Sequence, residues 1–262
     1  MLPARIAELL QPFLSAPCHS EPAKAGEEPA VLSPFQLQSI STYIDILLHW
    51  NTRINLTAIR NEEEIVTRHF GESLFAARHL LPDTRGTFAL GRPPERSSAD
   101  REEHDFSRAN TAPERSRASA PEARTVRVAD LGSGAGFPGI PIKLWAPHLA
   151  LTLIESNHKK ATFLREIVRA LTLTDINIQN TRAETLPQAS FDLVTLRAVE
   201  RFANTLPVAA SLVAPAGRLA LLTAASQLNA ARSTLPKLSW DTPLLIPQSK
   251  SRLLLIGNAE SK

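Results

Sequence analysis

Two runs of this 262-residue chain carry the residue types from which a nucleotide site is built. The first is Asp130-Leu131-Gly132-Ser133-Gly134-Ala135-Gly136-Phe137-Pro138-Gly139, which follows directly on the β-rich run VRVADL. Glycines at 132, 134 and 136 let the backbone turn sharply and leave its amides free to donate to a ligand. A turn of this kind between a strand and a helix sits at the carboxyl edge of an open α/β sheet, where such sheets bind ligands. The second run is LTLIE, which ends on Glu155, nineteen residues beyond Gly136. A carboxylate there accepts both hydroxyls of a ribose. The two together imply an adenosine-containing cofactor, whereas the glycine turn alone would also serve close helix–strand packing. A dinucleotide fingerprint counted from Gly132 requires Gly or Ala at 137, and Phe137 stands there, which argues against a nicotinamide oxidoreductase.

These residues need a sheet to hold them. From Val126 onward β-rich runs alternate with helical ones: VRVADL, a helix from about Phe137, LTLIE, a helix from Ser156, INIQN, FDLVTLR, a helix near 202–213, and RLALLT. That alternation predicts a doubly wound, mostly parallel sheet, with runs around Leu244 and over Leu253–Ile256 as an antiparallel edge pair. Ahead of it lies a helical region. Ser33, Pro34 and Gln36 make a capping box with proline at the first helical position, and Leu37, Ile40, Ile44, Leu47 and Leu48 then recur at helical spacing. A second helix is expected from the cap Asn61, through Glu62 to Glu64, to its end at Leu80-Leu81-Pro82.

The remaining segments read as connections. Residues 16–32 mix Pro, Ala, Gly and charge without apolar period and predict a linker. Between 84 and 124, arginines and acids nearly balance and apolar residues are too sparse to offset chain entropy, which predicts a disordered insert. The expected organisation is therefore a helical region over 1–83, that insert, and a cofactor-binding core over 125–262. Cys18 is alone, and neither a CxxC nor an HxxxH pair supplies a metal site. No stretch approaches the roughly 18 apolar residues of a membrane span, and MLPARIAELLQPF lacks the layout of a secretory signal, so a cytoplasmic location is expected. The formal charge is only +3, yet 22 of the 29 basic residues are arginine, the side chain that best forks onto phosphate. That composition permits RNA binding without requiring it.

Several runs together are more specific. Asp-x-Gly-x-Gly-x-Gly with Asp130 at the strand tip resembles motif I of class I methyltransferases, in which the acid helps position the methionine end of S-adenosylmethionine. Trp50-Asn51-x-x-Ile54-Asn55-Leu56-Thr57, Arg68-His69-Phe70 with Ser73-Leu74, GSGAGFPGIP, Arg182-Ala183-Glu184 and FDLVTLRAV resemble the bacterial family of ribosomal RNA small subunit methyltransferase G. The resemblance spans 34–258 apart from the insert. It implies a Rossmann-like α/β core with an N-terminal helical extension, S-adenosylmethionine as cofactor, and N7 methylation of one guanine in 16S ribosomal RNA of the small subunit. It also implies cofactor contacts from Gly132, Phe137, Ala183, Glu184 and Arg197, with Glu155 on the ribose and Gly134 and Gly136 shaping the loop.

Guanine N7 carries a lone pair and no proton, so no general base has to act on it. The work is to hold the reactants in line. Arg197, at the end of the fourth strand, is expected to do part of that work, directed at an anion because a free cation beside the guanine would oppose its developing charge. An apolar wall for the base is expected from Phe137 or from residues after Arg197. Trp50, Ile54 and Leu56 read as core contacts, while Asn51 and Asn55 read either as turn groups or as RNA contacts. One departure from the family stands out: a usual lysine-glycine pair at the end of the fifth strand is replaced by Leu222-Thr223-Ala224-Ala225. A small-molecule methyltransferase and a non-catalytic RNA-binding assembly factor are the alternatives, the latter motivated by that missing charge.

Overall fold

The computed structural model describes residues 1–15, 31–81, 125–197 and 202–261. The insert expected over 84–124, Cys18 and most of the expected linker fall outside these residues.

Five parallel strands form the body of the sheet: β1 (Arg127–Leu131), β2 (Ala150–Ile154), β3 (Ile176–Gln179), β4 (Phe191–Arg197) and β5 (Val213–Ala224). Their spatial order is β3-β2-β1-β4-β5, so the winding reverses between β1 and β4. Outside the carboxyl ends of strands at such a reversal, a crevice opens for a ligand. The glycine turn and Glu155 leave the sheet at that edge. On the far side, β8 (Arg252–Asn258) pairs antiparallel with β5, and β6 (Ser239–Trp240) and β7 (Leu244–Leu245) each pair antiparallel with β8. The expected pairing of the Leu244 run with the Leu253 run is present, but β8 lies between β5 and its short partners rather than at the edge.

Alternation along the strands divides the core into two halves. Val128, Leu151, Leu153, Leu193, Ala220 and Leu254 face one cluster; Ala129, Ile154, Val194, Leu196, Leu219 and Leu255 face the other. The second cluster is closed by α7 (Phe202–Leu212) and α8 (Leu228–Thr234). The first is closed by α5 (Gly139–Trp145) and α6 (His158–Ala170), and it continues without a break into the N-terminal helices. The helical region thus packs directly on one face of the core, through Tyr43, Ile44 and Leu47 of α2 (Pro34–Asn51) and Phe70, Leu74 and Ala77 farther on.

The capping box of α2 forms as expected, with Ser33 Oγ accepting from the Gln36 amide and Gln36 Oε1 from the Ser33 amide. The helix expected from Ser156 begins at His158, because Asn157 caps it by accepting from the Lys159 and Lys160 amides. Likewise α5 begins at Gly139 rather than Phe137, since the Asp130 carboxylate receives the Gly139 amide and the chain turns until that point. A further helix at the start of the chain, α1 (Pro3–Ser15), buries Ile6, Leu10, Phe13 and Leu14 along one stripe. The helix expected from Asn61 to Leu80 winds in three pieces: α3 (Glu62–Glu64), a π-helical turn at Ile65–Gly71 and α4 (Glu72–Leu80). Such wide turns gather at functional sites, and this one holds the Arg68-His69-Phe70 run.

Candidate active site

A cavity of about 660 Å³ opens at the carboxyl ends of β1 and β2. Gly132 and Gly134 line it together with Glu155 to Asn157, and the 3₁₀ turn Ala183–Thr185 contributes Ala183 and Glu184. Asn204, Thr205 and Val208 of α7 complete the wall, and Lys160 and Arg182 stand at its rim. Five expected residues are therefore brought to one space: Gly132, Gly134, Glu155, Ala183 and Glu184. The Glu155 side is held from two directions, with the Gly134 amide donating to Oε2 at 2.9 Å and the Asn157 amide to Oε1 at 2.7 Å. Asn180 Nδ2 fixes the backbone below by donating to the Glu155 carbonyl at 2.8 Å. Each carboxylate oxygen keeps a second acceptor position. An adenosine diol fits that capacity.

The other four expected residues do not line the cavity. Asp130 is 1 % exposed, and its carboxylate accepts from Thr195 Oγ1 at 2.9 Å and from the Gly139 amide at 3.3 Å. Asp130 lies beneath the loop and ties β4 and the start of α5 to it. Burial pushes its carboxyl up to about 6, against the hydrogen bonds from Thr195 and Gly139. For Phe137 the expectation of an apolar wall for the base is corrected. It cannot serve as an open stacking wall, because Tyr43 stacks on it at 5.3 Å, His69 at 4.7 Å, and Phe70 meets it edge-on at 5.1 Å. Gly136 is pressed into the same cluster. Its φ is +84°, and a Cβ there would collide with the Tyr43 hydroxyl and lie 2.7 Å from Ile140 Cδ1.

Arg197 ends β4 in a buried ion network. Its Nη2 donates to Glu72 Oε2 at 3.0 Å and to the Arg68 carbonyl, which the π-helical turn presents, at 2.5 Å. Burial works against the Arg197 charge, and Glu72 supports it. Glu72 is 1 % exposed and also meets Arg252 of β8, whose Nε lies 2.5 Å from Oε1. Arg197 Nη1 is buried with no hydrogen-bond partner among the described residues. The strand end that lacks the family's usual lysine has Thr223 donating to the Gln227 carboxamide, and Arg252 stands in register with Ala224 beside it. Positive charge reaches this corner from β8.

Nothing in the sequence gives Arg68-His69-Phe70 a role by itself. In the structure, His69 accepts or donates at Nε2 to Thr57 Oγ1 at 2.8 Å, which joins this run to the Asn-Leu-Thr run. Burial first, and then the field of Arg197, Arg68 and Arg252, lowers its imidazole to about 3, so it is neutral at physiological pH. The open reading of Asn51 also resolves. Its Oδ1 accepts from the Leu56 and Thr57 amides and its Nδ2 donates to the Thr57 carbonyl, so this buried side chain clasps the turn.

The sequence matches the family described as rRNA small subunit methyltransferase G (GidB) over residues 36–89 and 116–245, and the gap between the two stretches falls inside the expected insert. Ribosomal RNA small subunit methyltransferase G of Bacillus subtilis (strain 168) is 33 % identical over 224 residues, 82 % of this chain and 77 % of that protein. The protein of the same name from Bacillus pumilus (strain SAFR-032) is 32 % identical over 209 residues, 78 % of this chain and 71 % of that protein. With the glycine turn, Glu155, Arg197 and the Arg68-His69-Phe70 run all inside the matched stretches, the chain belongs to the ribosomal RNA small subunit methyltransferase G family.

Proposed function

We propose that this protein methylates guanine N7 in 16S ribosomal RNA of the small subunit, with S-adenosylmethionine as methyl donor, and that it works in the cytoplasm where ribosomes assemble. The observation that carries this reading is the adjacency of two features at the switch point: a cavity lined by the Glu155 carboxylate, and an arginine on the next strand end with a buried nitrogen that has no hydrogen-bond partner among the described residues. Glu155 is assigned to the ribose hydroxyls. Ala183 is assigned to the adenine face, with Glu184 at the same wall, and the Gly132 and Gly134 backbone comes close on the other side. Arg197 Nη1 is assigned to an anionic group of the cofactor or of the RNA backbone.

The bound cofactor supplies an electrophilic methyl group, and guanine N7 supplies a lone pair. The chain's part is to orient these partners, which by itself accounts for a large share of a bimolecular rate enhancement. Positive charge develops on the guanine as N7 is alkylated. Glu72 offsets the charge of Arg197 and Arg252, and His69 stays neutral, so the corner is less hostile to that charge than three free cations would be. The test uses cofactor labelled in its methyl group with purified small subunits, nuclease digestion and mass spectrometry. Label on guanine N7 of 16S RNA is the expected result. Label only on small molecules, on another ring position, or nowhere despite cofactor binding would overturn the proposal.

A further inference from the structure

Tyr43 is the sole tyrosine of the chain, it is fully buried, and it lies outside the cofactor-binding unit, in the middle of α2. It nevertheless touches three successive residues of the glycine turn. Its hydroxyl donates to the Ala135 carbonyl at 2.5 Å. That hydroxyl also occupies the place that a side chain at position 136 would take. Its ring lies parallel to Phe137, with 8° between the planes. Phe70 and Phe163 hold the ring from the other sides, at 5.2 Å and 6.3 Å.

Within the turn, most polar groups are satisfied locally. The Gly132 and Ser133 amides donate to the Ile154 carbonyl, the Gly136 amide to the Ser133 carbonyl, and Ser133 Oγ to the Asp130 carbonyl. The Ala135 carbonyl is held instead from α2. Ala135 itself is 7 % exposed, so without the phenol its carbonyl would be left buried and unmatched. The Ala135 carbonyl lies two peptides on from the Gly134 amide that holds the Glu155 carboxylate. A shift of the Ala135 peptide toward water would therefore carry the Gly134 amide away from Glu155.

We propose that Tyr43 is a positioning residue for the cofactor turn, so that the N-terminal helical layer sets affinity for S-adenosylmethionine through one hydroxyl-to-carbonyl hydrogen bond. The inference rests on the assignment of the Glu155 cavity to that cofactor. The hydroxyl reaches no reacting atom and acts through Ala135 and Gly134 on Glu155. Its removal should then raise the cofactor Kd and KM while leaving kcat at saturating cofactor alone.

The test is Tyr43→Phe, which keeps the ring stack and deletes only the donor. Calorimetry with S-adenosylmethionine and steady-state kinetics on small subunits are expected to show Kd and KM for the cofactor raised about five- to tenfold, one such hydrogen bond being worth roughly 1 kcal/mol. The kcat and the KM for subunits should stay within about twofold. Ile6→Val, which trims the core under α1 away from the turn, serves as the control for general loss of stability and should bind cofactor like the parent protein. A Tyr43→Phe protein with parental cofactor affinity, or with a loss matched by Ile6→Val, would overturn the proposal. A second measurement does not depend on the variant folding: with 3-fluorotyrosine incorporated, the chain carries a single ¹⁹F label at Tyr43. Its resonance should shift when cofactor is added, and an unmoved resonance at saturation would overturn the proposal as well. A parent protein that binds no S-adenosylmethionine in the same calorimeter would instead overturn the cofactor assignment beneath it.

Discussion

The two ends of the sheet's carboxyl edge are built on different plans. At the Glu155 end the motif residues face the cavity, and Lys160 and Arg182 stand unburied at the rim. At the Arg197 end the motif residues face each other: Asp130 under the loop, Phe137 between Tyr43 and His69, and Arg197 on a buried Glu72. The first end lines a cavity, with Glu155 held by the Gly134 and Asn157 amides. The second is a buried ion network that the fold depends on, in which Arg197 Nη1 is among the nitrogens without a hydrogen-bond partner in the described residues. Substitutions at the open end should therefore read out in binding, and substitutions at the closed end in stability first.

The largest effect is expected at Glu72. Glu72→Ala leaves Arg197 and Arg252 without their shared carboxylate, and breaking a buried pair from one side costs about 3–5 kcal/mol. Urea denaturation at neutral pH measures it. Arg197→Ala should fall in the same direction by less, because it removes one of the two arginines on Glu72 and leaves Arg252 in place. Retained stability in both would show the network to be idle and erase the contrast between the two ends.

Glu155→Ala is the matching probe of the open end. Loss of a charged hydrogen-bond acceptor corresponds to about 1.5–3 kcal/mol, or roughly 10- to 100-fold in cofactor affinity. The unfolding midpoint should drop far less than for Glu72→Ala. Calorimetry and denaturation on the same samples separate the two, and equal affinity for parent and variant would remove Glu155 from the site.

A smaller, pH-dependent effect is expected from His69. Its folded value of about 3 lies below the ordinary 6.5, so its contribution to stability is fully present above about 6.5 and is lost as pH falls toward 3. Asp130 runs the other way: its value, raised to about 6, gives a contribution that is present below about 4 and lost as pH rises through 6. His69→Gln should flatten the acid side of the melting profile between pH 6.5 and 4 while leaving that of Asp130. An unchanged profile would mean that His69 protonates as freely as in the unfolded chain. The smallest effect belongs to deletion of residues 88–120, whose composition is too poor in apolar residues to add to a core. Melting temperature and cofactor affinity should hold within error, and a large drop in either would refute that reading.

Local patterns made much of this legible from sequence. The capping box at Ser33, the alternation in VRVADL and FDLVTLR, and the turn of glycines followed by Glu155 each act over a few residues, so the chain itself reports them. The closed end is different in kind. Glu72 finds Arg197 and Arg252 at 125 and 180 residues' distance, and nothing near it in sequence announces a buried acid. Tyr43 reads as an ordinary apolar position of α2 until the Ala135 carbonyl is seen against its hydroxyl. Asp130 and Phe137 show a further limit: the motif tells which residues gather at the turn, but neighbours from β4, α2 and the π-helical turn decide which way each side chain faces.

Mapping N7-methylguanine across the small-subunit RNA of cells with and without this protein tests the central claim most directly. One guanine of 16S RNA should lose its N7 methyl group when the protein is absent, regain it with the parent chain, and fail to regain it fully with Glu155→Ala. A methylation map identical in the two strains would contradict the claim.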